Sequence, residues 1–443
     1  MLLMSSAGPV KPVVGACATT VLSIDTAIET IQSGKARVMI AGSADDFLEE
    51  SSVEFANMGA TSNSVEEFTR GRTPSEMCRP CTSTRNGFME GQGAGIVTLM
   101  SASAAIEFGA PIYGIIAMSG TATDKQGQSV PAPGKGMLVS ACEAGSAPPS
   151  RLLNFGYRRR QLERDMAALK SRKQEELTNL ADMVDGAADT VGLSAMHHAK
   201  EIEDEYAQWQ RSLQDHWGNE FWKGKPGISP LRGSLAVWGL AADDIGVASF
   251  HGTSTVANDK NESDVLNTQL RHLGRTSGHV VPVVCQKWLT GHPKGPAASF
   301  MLNGVIQILR TGLIPGNRNA DNIGKELEAF DYALYLSKSV QTSGIKAGLL
   351  KSFGFGQVGG ELLVVHPDYL LATLTQEQLT EYNSKLQVRD AKSSRYWQDT
   401  LVGNHPFVQV KSYPPFTAEQ EKSVYLDPLA RAKYDSKAGE YKF

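Results

Sequence analysis

The chain has 443 residues with 43 Lys plus Arg against 47 Asp plus Glu, a net charge of −4. That length allows two or three domains or one large α/β domain, and the balance lacks the basic surplus that a nucleic-acid partner requires. Five cysteines (17, 78, 81, 142 and 285) form no disulfide framework in so long a chain, which fits a reducing, cytoplasmic setting.

No apolar run approaches the ~20 residues that span a bilayer, so no membrane segment is expected. The opening Met1-Leu2-Leu3-Met4 has no basic flank and is soon broken by Pro9 and Pro12, so it is not read as a signal peptide. Gly15-Ala16-Cys17-Ala18-Thr19 follows. From Thr20 to Ser33, apolar residues at 21, 24, 28 and 31 precede Gly34, the pattern of an amphipathic helix with a glycine stop. Cys17 then sits at a helix N-terminus, where free N–H groups and the helix dipole favour a thiolate and predict a pKa drawn from about 8.5 toward neutrality. A small buried cysteine in a strand-to-helix turn is the plainer reading of the same five residues.

Residues 36–42 predict a buried strand, and 49–80 are polar. Cys78 and Cys81 are two-spaced, but no second pair or His-rich partner follows, so neither zinc nor redox chemistry is assigned to them. Gly91, Gly93 and Gly95 lead into a strand at 96–100 and imply backbone packed too closely for side chains. Residues 112–120 predict another strand and 129–136 a loop. From Leu152 to Trp217 the chain is charge-dense and proline-free, with Leu162, Met166, Leu169, Leu177 and Leu180 at helical spacing. This is one long helix or a helical hairpin inserted into an α/β frame, suited to a subunit contact. His197, His198 and Glu201 share one of its turns and are read as a solvated face; no metal is assigned.

Alternation then resumes: helix 234–240, strand 245–250, helix 258–273, strand 280–285, a helix marked by Leu302, Val305, Ile306 and Leu309, and strands 345–351 and 361–365. Strand and helix in turn predict a layered α/β sheet. Beyond Pro367 the chain is polar, with a helix at 376–386, and is read as a surface tail. His251 ends one buried strand and His292 follows another, where open α/β sheets place their ligands. With Cys17 they fit a cysteine nucleophile with two histidines.

These residues carry a specific resemblance. Gly15 to Thr19, His251-Gly252-Thr253-Ser254-Thr255, Lys287 five residues before His292, and Ser352-Phe353-Gly354-Phe355-Gly356 stand in the order of the β-ketoacyl synthases. Asn86 to Glu90, Thr290 to Gly295, Gly354 to Gly360 and Asp427 to Arg431 resemble, more narrowly, the synthase region in the α subunit of fungal type I fatty acid synthase, over essentially the whole chain. The resemblance implies a thiolase-like layered αβαβα fold and decarboxylative condensation of an acyl-enzyme thioester with malonyl-ACP. Cys17 would be the nucleophile, His251 and His292 would bind the malonyl thioester oxygen, and Lys287 with Glu262 would set charge around the histidines. The backbone N–H groups of Cys17 and Phe355 would face the oxyanion, with Phe355 also the gate; Thr253, Thr255, Gly354 and Gly356 would support the site. Substrates would arrive on the phosphopantetheine arm of acyl carrier protein, with no cofactor bound, and the partners would be that carrier, a second copy of the fold and the synthase β subunit. Gly354 to Gly359 also has the glycine spacing of a dinucleotide fingerprint, but a strand follows where that motif needs a helix, so nicotinamide is not expected.

Four segments are expected: 1–125, the remainder of an N-terminal half carrying the nucleophile; 126–232, a loop and the charged insertion; 233–370, a C-terminal half carrying both histidines; and 371–443, a polar tail. The family places most of its first half ahead of the nucleophile, so that half is expected to be truncated here. No phosphopantetheine transferase activity is expected at the far end. Pro296 and Ala298 stand where many synthases carry alanine and glycine, which predicts local crowding. Two other readings are a remnant or assembly subunit without turnover, and a synthase making a short acyl starter for polyketides.

Overall fold

Eight successive buried residues, Ala347 to Gly354, explain the architecture, because a strand covered on both faces must lie between two layers. In the computed structural model, which describes residues 8–124, 133–144, 149–184, 189–406, 417, 419, 433–435 and 440–442, that strand is β7 of a six-stranded sheet. The elements, in chain order, are α1 (Thr19–Gln32), β1 (Val38–Asp45), β2 (Gly93–Met100), β3 (Ile115–Thr123), α2 (Phe155–Val184), α3 (Asp189–Trp217) and α4 (Pro230–Val237). They continue with β4 (Ile245–Ser249), α5 (Val256–His272), β5 (Val281–Val284), α6 (Ala297–Thr311), β6 (Ala333–Tyr335), β7 (Ala347–Gly354), β8 (Val358–Val365) and α7 (Gln376–Leu401). All eight β7 residues are buried.

The main sheet runs β3-β8-β7-β4-β5-β6. β8 is antiparallel to both β3 and β7, while β4, β5, β6 and β7 are mutually parallel where they meet. Its two faces carry separate apolar clusters. Leu231 and Leu235 of α4 with Leu266 and Leu270 of α5 cover one, around Phe250, Leu349 and Leu363. Val21 and Ile24 of α1 with Met301, Leu302 and Val305 of α6 cover the other, around Val247, Leu350 and Leu362. Burying one such side chain contributes about 1.5–3 kcal/mol. The second cluster continues into Met39, Ala41, Val97 and Leu99 of the antiparallel pair β1–β2. Helices α1 and α6 therefore lie between two sheets, the central helical layer of a thiolase-like fold.

Several local expectations are refined. β3, which a boundary at 125 groups with the N-terminal half, pairs along its length with β8 and so belongs to the C-terminal sheet. The polar stretch 49–80 contains helices Glu49–Asn57 and Ser64–Thr69, the second capped by Asn63 accepting from Val65 and Glu66 N–H. The insertion is a hairpin rather than one long helix: Trp217 Nε1 donates to Asp165 Oδ2 at 2.9 Å, and the Arg172 guanidinium lies 5.2 Å from the Trp209 ring. The tail helix runs to Leu401 rather than Leu386, started by a Thr375/Gln378 capping box. It is tied down by Tyr382, whose hydroxyl donates to Ala110 O. Met1 to Met4, residues 129–132 of the expected loop and the Asp427 to Arg431 motif lie outside the described residues. No described helix is long and apolar enough to cross a membrane.

The crowding expected at Ala298 falls one residue later. Ala298 is fully buried in the layer between the sheets, while a Cβ on Gly95 would stand 2.3 Å from Ser299 Cβ. The backbone of β2 is that close because Ser299 Oγ donates to Gly95 O at 2.8 Å.

Candidate active site

A strained turn presents Cys17. Ala16 has φ 47°, a left-handed conformation unfavourable for a residue with a Cβ. Thr19 holds it: its Oγ1 donates to Ala16 O at 2.7 Å and accepts from Gly15 N at 3.0 Å. The turn Ala16–Ala18 then runs into α1. The end of β7 closes over it, since a Cβ on Gly354 would meet Gly15 O at 2.5 Å. Ser352, two residues earlier, donates from Oγ to Cys17 O at 2.8 Å.

The histidines arrive from the parallel strands. His251 follows β4, and the Glu262 carboxylate of α5 fixes its loop by accepting from His251 N at 2.6 Å and Gly252 N at 3.0 Å. Lys287, just beyond β5, donates from Nζ to His251 O and lies 3.3 Å from His251 Nδ1. His292 is held through its backbone, donating from N to Met89 O at 2.7 Å. The two imidazoles meet edge to face with centroids 5.1 Å apart. Cys17, His251 and His292 are all buried, and the sulfur and one ring nitrogen of each histidine lie within 4.8 Å of one another. Three side chains up to 275 positions apart thus converge at one point between the sheets.

Thr255 caps α5 by accepting from Asn258 N, and its hydroxyl lies 3.1 Å from that of buried Thr253. Phe355, half-buried, begins a run of aromatic edges through Phe55 and Phe88 to His292, with centroids 5.6, 5.5 and 5.0 Å apart in turn. Gly356 at φ 85° turns β7 into β8. The glycine-rich segment therefore forms a β-hairpin and opens no helix for a pyrophosphate.

Electrostatics depart from the expectation at the nucleophile. Burial pushes the Cys17 thiol up to about 11, against the Lys287 charge and the backbone N–H groups of Phe355 and Cys17 that favour the thiolate. The helix-end effect is present but desolvation outweighs it. Burial and then Lys287 hold both imidazoles well below the ordinary histidine range, leaving them neutral at pH 7. Burial also raises the Glu262 carboxyl and depresses the Lys287 ammonium, each opposed by the other's charge. The chemistry available is a desolvated thiol, two neutral rings able to donate toward a carbonyl oxygen, and two backbone N–H groups beside the sulfur.

Ser352, Phe55 and Phe88 join the site without having been singled out. Ser352 and Phe88 lie inside quoted motifs, but nothing local marks a strand serine as a bridge, and Phe55 falls in a polar stretch. Cys81 Sγ faces Cys285 Sγ at 3.8 Å rather than pairing with Cys78. His197 is exposed beside Glu201 on the α3 surface.

Comparison with known proteins gives the same direction. Residues 2–105 match the family model for the beta-ketoacyl synthase N-terminal domain and residues 214–321 that for the C-terminal domain. The chain is 53% identical over 445 residues to fatty acid synthase subunit alpha of Candida albicans, covering 99% of this chain and 24% of that protein. It is 52% identical to the same subunit of Saccharomyces cerevisiae, covering 100% and 24%. It thus spans about a quarter of the length of these curated relatives. Among solved structures, the ketosynthase FabY from P. aeruginosa superposes with a TM-score of 0.64 at 19% identity, covering 94% of this chain and 55% of that one. The oxazolomycin ketosynthase domain OzmH KS7 of Streptomyces albus gives 0.52 at 16% identity, covering 81% and 46%. Both share the fold.

Proposed function

The chain belongs to the β-ketoacyl synthase family, and from that premise we propose that it is a 3-oxoacyl-[acyl-carrier-protein] synthase of fatty acid biosynthesis. The observation that carries this reading is the buried convergence of Cys17, His251 and His292, with backbone N–H groups of Cys17 and Phe355 acting on the sulfur. In the first half-reaction the Cys17 sulfur attacks the thioester carbonyl of an acyl chain carried on phosphopantetheine. The new C–S bond replaces the pantetheine C–S bond, and the thiol proton passes to the departing sulfur. Since the thiol is protonated at pH 7, that transfer accompanies attack and does not precede it.

In the second half-reaction malonyl thioester occupies the pocket with its carbonyl oxygen between the two imidazoles. Breaking the bond to CO₂ leaves the electron pair on an enolate, whose oxygen accepts from both rings. Neutral rings suit this role: they donate without a full charge, and Lys287 beside His251 keeps them unprotonated. The enolate carbon attacks acyl-Cys17, the oxyanion faces the Cys17 and Phe355 N–H groups, and collapse releases the 3-oxoacyl thioester. A solvent proton returns to the sulfur. Each donor to such an oxyanion is worth about 10²–10³ in rate where water is excluded. Glu262 and Lys287 position the His251 loop, and Phe355 gates the entry. Acyl carrier protein brings both substrates, and no cofactor is bound.

Relatives that are α subunits of fatty acid synthase favour that pathway over a polyketide starter. A second copy of the fold, a fatty acid synthase β subunit and a cytoplasmic setting complete the proposal, with the α2–α3 hairpin as a subunit contact. The test separates the half-reactions. Cys17→Ala is expected to abolish both acyl transfer and condensation. His251→Ala and His292→Ala are expected to acylate Cys17 yet to condense at least about a hundredfold more slowly. Retained condensation in Cys17→Ala, or unacylated Cys17 in the wild-type chain, overturns the reading.

A further inference from the structure

We propose that Cys17, His251 and His292 form a three-ligand site for a soft or borderline divalent cation such as Zn²⁺ or Cd²⁺, and that the cation occupies the nucleophile and blocks it. One sulfur and two imidazole nitrogens are the donor set these ions take, and three protein ligands leave a fourth position open. The three donors already lie within 4.8 Å of one another. Tetrahedral bond lengths of about 2.0–2.3 Å place ligand atoms roughly 3.3–3.7 Å apart, so closure needs shifts of about 1 Å.

The surroundings fit. His292 is 1% exposed and its Nδ1 has no hydrogen-bond partner, so that nitrogen can take an ion without giving up a hydrogen bond. His251 has the outer contact that a ligating imidazole uses: Ser352 Oγ lies 3.3 Å from Nδ1. Metal binding selects the tautomer in which Nδ1–H donates to Ser352, whose hydroxyl already donates to Cys17 O, against the Lys287 ammonium 3.3 Å from the same nitrogen, and leaves the other ring nitrogen to bind metal. The same serine thus links the backbone of one ligand to the ring of another. Lys287 opposes the cation, but its ammonium is held by His251 O, and Glu262 of α5, whose carboxyl group holds the same loop, acts against its charge. On binding, the Cys17 S–H bond breaks, its proton goes to solvent and a sulfur–metal bond forms; nothing is oxidised or reduced.

Metal capture follows from the three side chains whether or not they condense acyl groups, so an inactive chain would still bind. The experiment is a titration of the purified chain with CdCl₂, read by the ultraviolet thiolate-to-cadmium band. The Cys142→Ser background removes the exposed thiol of Cys142. One equivalent is expected to saturate the band. Cys17→Ser is expected to remove it. His292→Ala and His292→Gln are each expected to weaken binding at least about tenfold, and Ser352→Ala by about tenfold with the band retained. Two histidine variants keep the test open should one fail to fold. Absence of a band, a band of full size in Cys17→Ser, or unchanged affinity in the histidine variants overturns the site. The second outcome would move the metal to Cys81 and Cys285, and the third would leave a lone thiolate.

Discussion

At Cys17 opposing influences act on one sulfur, and their ranking makes a measurable difference. Helix-end N–H groups and Lys287 favour the anion; burial disfavours it and wins, with the thiol near 11. Alkylation of Cys17 by iodoacetamide is therefore expected to accelerate about tenfold per pH unit from pH 7 to 9, because the thiolate fraction grows that way well below the pKa. Peptide mass spectrometry reads it, and a rate that is flat over that range refutes a raised pKa. Lys287→Met, which removes the nearest cation, is expected to slow the reaction most near pH 7 and less toward pH 9, because burial depresses the Lys287 ammonium to about 8. The position of this thiol at the start of a helix was legible in five residues and a helical repeat. Its proton affinity was not, because the groups that desolvate it come from β7 and the His251 and His292 loops, hundreds of residues on.

Within β7 and β8 lies the element that aligns Ser352 and Gly354 over the nucleophile. Side chains alternate along a strand, so Ser352 faces Cys17 while its neighbour Lys351 faces away. Lys351 stands opposite Glu361 in register and contacts its carboxylate, and also donates to Gln269 Oε1 at 2.6 Å. Glu361 in turn accepts from Ser140 Oγ at 2.7 Å. Lys351→Met leaves a buried carboxylate without its cation and is expected to cost about 3–5 kcal/mol in urea unfolding. The double variant Lys351→Met/Glu361→Leu is expected to recover most of that loss; equal losses in the single and double variants would contradict the pairing. Apolar runs announced both strands, but cross-strand register decides who meets Lys351, and register cannot be read along one strand. The α2–α3 region shows a similar limit. Charge and leucine spacing established helix, while its fold-back rests on contacts such as Trp217 to Asp165.

Over the whole molecule, two neutral imidazoles are buried where an unfolded chain would protonate them. Their folded values lie below the ordinary 6.5, so the unfolded state binds more protons as pH falls below about 6.5, and stability is lost in that direction. Each ring contributes up to about 1.4 kcal/mol per pH unit. Glu262, raised by burial, acts oppositely in the same window, so wild-type stability alone reports only a net. The comparison with His292→Gln isolates one ring: the gap in unfolding free energy between the two chains is expected to shift by up to about 1.4 kcal/mol in favour of the variant from pH 6.5 to 5.5. A gap independent of pH would mean that His292 is not held neutral. The layered α/β class was evident from strand and helix in turn, whereas the transfer of β3 to the second sheet was not, because chain order does not dictate which sheet an edge strand joins.

The tie between Ser352 and Cys17 spans 335 positions. A ribosome adding about 5–20 residues per second needs roughly 20–70 s to cover that interval. Throughout it the emerging sulfur has no lid, so the youngest copies of this polypeptide are the ones most open to electrophiles, and an adduct gained then would obstruct the closing of β7 over its turn.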